Sequence, residues 1–175
     1  RTVCDILSGR VDRILDLGYL PVMENLIRHF NLAPHPEGGF FRETYRSGQQ
    51  VWSQTASGDR AAATHIYFLL PKGHVSRFHR VIHDEIWHVY QGDPLRLIQF
   101  DGNGLEEIHI GKGCPDFTAV VPAGTWQAAA STGTHTLAGC TVAPGFDFTD
   151  FAFLADHPAE LSKFKALDSG LDPFI

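Results

Sequence analysis

No stretch of this chain approaches the roughly 18 consecutive apolar residues that a membrane-spanning helix requires; the best run, residues 66–70, is stopped by Pro71. A membrane partner is therefore not expected. Positive charge is also sparse. The 14 Lys and Arg face 20 Asp and Glu, a net charge of -6, and no basic block is present to release counterions from a phosphate backbone. Nucleic acid is excluded as a partner on the same ground. Cysteine is scarce too: Cys4, Cys114 and Cys140 are an odd number without the spacing of a metal finger. None has an activating partner nearby in sequence, so buried structural thiols in a reduced, cytoplasmic setting are the expectation. The first residue is Arg1 rather than Met, so a trimmed or processed chain is expected, which leaves room for a removed targeting segment. Two further absences narrow the chemistry. Neither Gly38-Gly39 nor Gly145 lies in a strand-to-helix phosphate loop, and there is no serine elbow or Cys/His nucleophile signature.

What is present suits one compact domain. At 175 residues about 68–70% of the unfolded surface is buried on folding. Charged residues make up 19% and hydrophobic ones 43%, a composition that argues against disorder and coiled coil. The expected organisation is a single domain over 1–175, with a helical extension over about 5–32, a β-rich body over about 38–155 and a short helix over about 158–168. In the extension, Val11, Ile14 and Leu15 share the face of a first helix that Gly18 stops. Pro21 opens a second, whose Met23, Leu26, Ile27 and Phe30 follow helical spacing until Pro34 and Pro36.

The body reads as short strands divided by Gly, Pro, Asp and Asn clusters, the texture of an all-β sandwich or barrel. Ten strands are predicted, over 40–46, 62–70, 74–80, 85–90, 95–100, 106–110, 118–121, 126–130, 136–143 and 148–154. Gly92-Asp93-Pro94 and Asp101-Gly102-Asn103-Gly104 supply the reversals of a hairpin meander. Pro158 starts the last helix, with Leu161 and Phe164 on one face.

The chemistry-bearing stretch starts at Gly73. His79 follows after five residues, Glu85 lies six beyond it, and Gly92 seven further on. A straight strand would separate His79 from Glu85 by about 20 Å, so the chain must reverse between them. Ile82-His83-Asp84 provides the reversal, which is expected to return Glu85 on the neighbouring strand opposite His79. Downstream, Pro122-Ala123-Gly124-Thr125-Trp126-Gln127 forms a second turn-and-strand block.

These two blocks resemble the paired motifs of the cupin superfamily, in which three His and one Glu surround a metal in a small barrel. Here Val81 occupies the second His position, Gln127 the third, and Ser131 the place of a usual Asn. Only His79 and Glu85 remain of four ligands, and an aliphatic side chain and a neutral amide are poor donors to a transition metal. No cofactor is therefore expected. A divalent metal would rest on His79, Glu85 and Gln127 as weak ligands, unless a bulged turn brought in His83 or His88, and His88 has the opposite strand parity from Glu85.

Four segments together resemble the cupin-5 family more closely: Pro34 to Ser47, His79 to His88, Val121 to Gln127, and Val142 to Phe148. This resemblance implies a double-stranded β-helix, the RmlC-like jelly-roll barrel, and a homodimer; it implies no established reaction. The expected function is small-molecule binding inside the barrel, with a metal-free or weakly metal-dependent isomerase, epimerase or lyase acting on a small polar metabolite. A non-catalytic binding module and a metal-dependent oxygenase or decarboxylase are the alternatives.

His79 and Glu85 are the candidate catalytic pair, for general acid–base work, against the alternative of a hydrogen-bonded core pair. Arg42, Tyr45, Trp87, His88 and Gln127 are the candidate ligand-binding residues around them. Arg42 suits a carboxylate or phosphate, or else a strand-edge ion pair with Glu43. Tyr45 and Trp87 suit a pocket wall or ordinary core packing.

Overall fold

Alternating apolar and polar residues between frequent glycine and proline turns build two facing sheets. The computed structural model describes residues 22–167 and 170–175. The first expected helix, over residues 11–15, lies outside the described residues. The second is present as α1, residues 22–29. Thirteen strands follow: β1 Ala33–Pro34, β2 Phe40–Arg46, β3 Gln50–Ser53, β4 Gly58–Ala61, β5 Thr64–Pro71, β6 Val75–Val81, β7 Asp84–Gly92, β8 Leu95–Phe100, β9 Leu105–Ile110, β10 Thr118–Val121, β11 Trp126–Ser131, β12 His135–Ala143 and β13 Phe151–Phe153. Helix α2, Pro158–Leu167, closes the body.

One sheet has the order β1-β2-β5-β12-β7-β10 and the other β13-β6-β11-β8-β9, while β3 and β4 form a separate hairpin. All strand pairs are antiparallel. Successive strands β6 and β7 lie in different sheets, as β11 and β12 do, so the chain winds round the barrel as a jelly roll. The β3–β4 hairpin was not predicted, because Gln50-Val51-Trp52-Ser53 and Gly58-Asp59-Arg60-Ala61 bury only Ser53 and Ala61 and carry no apolar alternation. The predicted strand over 148–154 is reduced to β13. Asp147 caps a 3-10 turn at Phe148–Asp150 by accepting the Thr149 N–H, and a second turn, Leu154–Asp156, follows.

Three apolar clusters hold these layers. Phe68, Leu70, Trp87, Val89, Leu95, Leu97, Ile110 and Val121 fill the barrel interior. The outer face of the five-stranded sheet is covered by Phe164 of α2 with Leu171 and Phe174, packed on Phe78, Ile98, Phe100 and Trp126. Burial of a side chain the size of Phe164 contributes roughly 1.5–3 kcal/mol. Leu26 and Ile27 of α1, with Phe30 just after it, lie on Leu69 and Leu137 of the six-stranded sheet, so the helical stripe packs as its spacing implies. Cys140 is buried and Cys114 half-buried, both as free thiols. Among the described residues no helix is long and apolar enough to cross a membrane.

Candidate functional site

At one end the barrel is not filled. A cavity of about 240 Å³ opens there. Its floor carries His35, Glu37, His79 and Glu85; Phe41, Ile66, Val81, Cys140, Val142 and Phe151 wall it; Glu43, Arg46, Phe146, Asp147 and Phe148 surround the mouth.

A bulge in β6 sets the floor. Gln127 pairs with His79, but Ala129 pairs with Ser76, so two residues of β11 span three of β6. The extra residue turns both Ser76 and His79 inward, although their spacing would put them on opposite faces of a regular strand. Arg77, inside the bulge, uses both backbone groups for the site. Its N–H donates to the Glu37 carbonyl at 2.9 Å, and its carbonyl accepts from His79 Nδ1 at 2.8 Å. A carbonyl only accepts, so the His79 proton is on Nδ1 and Nε2 presents a lone pair.

That lone pair meets Glu37 Oε2 at 3.2 Å, while Ser76 Oγ donates to Glu37 Oε1 at 2.9 Å. Burial pushes the Glu37 carboxyl up to about 8, against the smaller opposing effects of the Ser76 bond and the Arg77 charge. Burial also lowers His79, opposed by Glu85 and by the Arg77 carbonyl. Both members are driven towards neutrality, so the contact is a carboxylic acid donating to a neutral imidazole. His35 completes this side. Its Nδ1 accepts the Glu37 N–H at 3.3 Å, and burial followed by the nearby His79 lowers it to about 4.

Glu37 was missed in the sequence because it precedes the barrel strands, in Pro36-Glu37-Gly38-Gly39. Gly38 has φ +116°, and a Cβ there would stand 2.0 Å from the Val75 carbonyl oxygen. Only glycine lets this segment lie flat on β6. An acidic residue wedged between proline and a glycine pair was the available signal.

Glu85 enters from the opposing sheet, not from a neighbouring strand as expected: β7 pairs with β10 and β12, and β6 with β11 and β13. Gln127 Nε2 donates a short hydrogen bond to Glu85 Oε2, and Gln127 Oε1 accepts from Trp87 Nε1 at 2.8 Å. Burial raises the Glu85 carboxyl, and the Glu37 charge adds to the shift, while His79, Gln127 and the Cys140 thiol counter it. His79 and Glu85 therefore line one cavity, but the direct partner of His79 is Glu37.

The remaining candidates are placed differently. Gln127 is fully buried behind Glu85, and Trp87 is a core residue 1% exposed, packed edge-on to Phe68. Neither lines the cavity. On β7 the inward positions are Glu85, Trp87 and Val89, so His88 faces outward, where its Nε2 contacts Thr141 Oγ1 at 3.3 Å. Arg42 lies over the Tyr67 ring, 5.6 Å from its centroid, and Tyr45 is 56% exposed. Strand alternation carries Phe41 and Glu43 into the cavity and turns Arg42 away. The expectation that Arg42, Tyr45 and His88 surround the ligand is corrected on this geometry. Glu43 pairs with Arg46, not Arg42, through bonds of 3.0 and 2.7 Å. A bulge at Glu43/Tyr45 in β2 allows this by placing both partners on the mouth side.

The donors do not fit a transition metal. Val81 lines the cavity with an aliphatic side chain, the Gln127 amide spans Glu85 and Trp87, and His79 Nε2 is engaged by Glu37. His83, the residue that a bulged turn would bring in, bonds Ser53 Oγ at 2.7 Å outside the cavity. Among the described residues no group of three or more His, Cys, Asp or Glu is placed to hold a metal ion.

The sequence model of a family described as cupin superfamily (DUF985) matches residues 24–154. An uncharacterised protein of Saccharomyces cerevisiae, YML079W, is 29% identical over 150 residues, 75% of each chain. Among solved structures, a hypothetical protein from Leishmania major is similar with TM-score 0.70 and 28% identity, covering 82% of this chain and 97% of that one. Protein SO0799 from Shewanella oneidensis is similar with TM-score 0.70 and 32% identity, covering 82% and 92%.

Proposed function

The chain belongs to the cupin-5 (DUF985) family of the cupin superfamily, and on that premise we propose that its barrel cavity binds a small polar molecule and moves a proton on it. The reaction class is a metal-free or weakly metal-dependent isomerisation, epimerisation or lyase elimination. The observation that carries this reading is the buried pair of Glu37 Oε2 and His79 Nε2, 3.2 Å apart on the cavity floor.

The pair works as a relay. Glu37 passes its proton to His79 Nε2 as it takes one up from an acidic C–H or O–H of the ligand. The electron pair of the broken bond stays on the ligand, and the reverse transfer returns the proton at a second position in an isomerisation or on the other face in an epimerisation; in an elimination the pair expels a leaving group, which takes that proton. His79 carries the positive charge between the two steps. Glu85, held by Gln127, stabilises that charge across the cavity. Gln127 is buried outside the cavity lining and bonds Glu85 and Trp87, so it positions Glu85 and does not bind the ligand.

Native mass spectrometry of the purified protein identifies a retained ligand, which is then incubated with the protein in D2O. Deuterium incorporation into the ligand is expected with the wild type. Glu37→Gln and His79→Ala are each expected to slow it by roughly 100-fold or more, the scale of acid–base groups. Binding without any exchange would instead identify a non-catalytic binding module.

The proposed assembly is a homodimer, with the exposed Tyr45, Tyr90 and Val120 on the six-stranded sheet available for a second copy. Light scattering should give twice the 19.4 kDa chain mass.

A further inference from the structure

The cavity's polar groups determine which charge a ligand can bring. Arg46 is the only Lys or Arg among the described lining residues. Its three guanidinium nitrogens are all engaged: Nε and Nη2 donate to Glu43 at 3.0 and 2.7 Å, and Nη1 to the Phe146 carbonyl at 3.1 Å. Asp147 stands beside it at the mouth. Deeper in, an anion would be desolvated against two carboxyl groups with no Lys or Arg among the described lining residues there to offset the cost. A cation fares little better. Glu37 holds its own proton, its Oε1 accepts from Ser76 and its Oε2 faces His79. Glu85 Oε2 accepts from Gln127, and its charge is directed at His79 across the cavity, with which a ligand cation would compete.

Neutral hydrogen-bonding groups remain. His35 accepts at Nδ1, which leaves its proton on Nε2. Thr64 Oγ1 accepts the Phe146 N–H at 2.9 Å and keeps its O–H to donate. Flat apolar rings lie beside these groups. Phe151 stacks on His79 with centroids 5.3 Å apart and planes at 16°, and Phe148 stacks on His35 at 6.2 Å and 26°.

We propose that the cavity selects an uncharged hydroxyl- and carbonyl-bearing ligand of roughly ten non-hydrogen atoms, a size scaled from benzene in a cavity of about 150 Å³, and discriminates against phosphorylated, carboxylate and ammonium counterparts. One edge of the ligand meets His35, Glu37 and Thr64; its apolar face lies against Phe148 and Phe151. This rests on the cavity being the ligand site, and it refines the small polar metabolite into a charge and size class.

The probes are xylose, xylonate, xylose 5-phosphate and the amine xylitylamine, titrated against the full chain by saturation-transfer NMR at neutral pH. Xylose is expected to bind at least about tenfold more tightly than each charged probe. Phe148→Ala, at a mouth position 56% exposed, should weaken xylose binding about fivefold without unfolding the protein, and Tyr45→Ala on the outer face should leave it unchanged. Equal or tighter binding of a charged probe, xylose affinity indifferent to Phe148→Ala, or no binding by any of the four overturns the charge and size assignment. A retained ligand that exchanges deuterium but carries phosphate would overturn this assignment alone, leaving the proton-transfer reading intact.

Discussion

The two halves of the barrel interior use the same strands for opposite ends. Along β5 the inward residues run from Thr64 and Ile66 at the cavity to Phe68 and Leu70 in the core, and along β7 from Glu85 to Trp87 and Val89. Backbone geometry is continuous between the halves. Side-chain volume and polarity alone make one half a dry plug and the other an open chamber. The plug carries the stability and the chamber uses some of it, because buried carboxyls without a fixed cation are costly. Trp87 marks the boundary: its ring belongs to the plug, and its N–H holds the Gln127 amide that holds Glu85.

The sharpest way to break this division is at that boundary. Trp87→Ala should destabilise the protein by about 3–5 kcal/mol in a denaturant titration, the cost of removing a large buried aromatic, and should also free Gln127. A purely local chamber would survive this change with its pH behaviour intact; a chamber leaning on the plug would lose both.

The next largest effect is a pH dependence that belongs to the chamber alone. Glu37 rises from an ordinary 4.5 to about 8 in the folded protein. Between those values the folded state holds a proton that the unfolded state lacks, so stability falls as pH rises. His35 drops from 6.5 to about 4, so between these values the unfolded state holds the extra proton and stability rises with pH. The two oppose each other from 4.5 to 6.5, and the carboxyl acts alone from 6.5 to 8. Glu85 shifts in the same direction as Glu37, and His79 in the same direction as His35. Wild type should therefore lose up to about 2 kcal/mol between pH 6.5 and 8. Thermal melts of Glu37→Gln across this range should show most of that decline removed.

Ser76→Ala should cost about 1 kcal/mol for the lost bond to Glu37. Because that bond lowers the carboxyl pKa, its removal should also move the decline to higher pH. Smallest of all, Tyr45→Ala on the exposed face should change stability by less than about 0.5 kcal/mol. A larger loss measured in dilute, monomeric protein would show that the outer face matters to the fold itself.

The plug was more legible in sequence than the chamber. Its strands follow apolar alternation between turn residues, and the helical stripe of Leu26, Ile27 and Phe30 packs as spacing implies. His79 and Glu85 were found by motif spacing and do share the cavity. Spacing along one chain does not reveal which sheet a strand joins, so Glu85 was expected beside His79 rather than across from it. Parity did contain part of the answer: His88 differs from Glu85 by an odd number, and Arg42 lies between the inward Phe41 and Glu43. Glu37 escaped because it belongs to no strand, and Ser76 because a bulge resets the parity by which it would be judged.

Those bulges have an evolutionary consequence. Glu43 and Arg46 are three residues apart, as are Ser76 and His79, and each pair shares a face only because one strand carries a residue that its partner does not match. Loss of a single codon at Thr44 would leave Glu43 and Arg46 two residues apart, still on one face of a regular strand, and the same loss at Phe78 would do so for Ser76 and His79. A one-residue deletion within a bulge therefore keeps the chamber's facing, whereas one in a regular strand such as β5 turns every side chain beyond it to the other face.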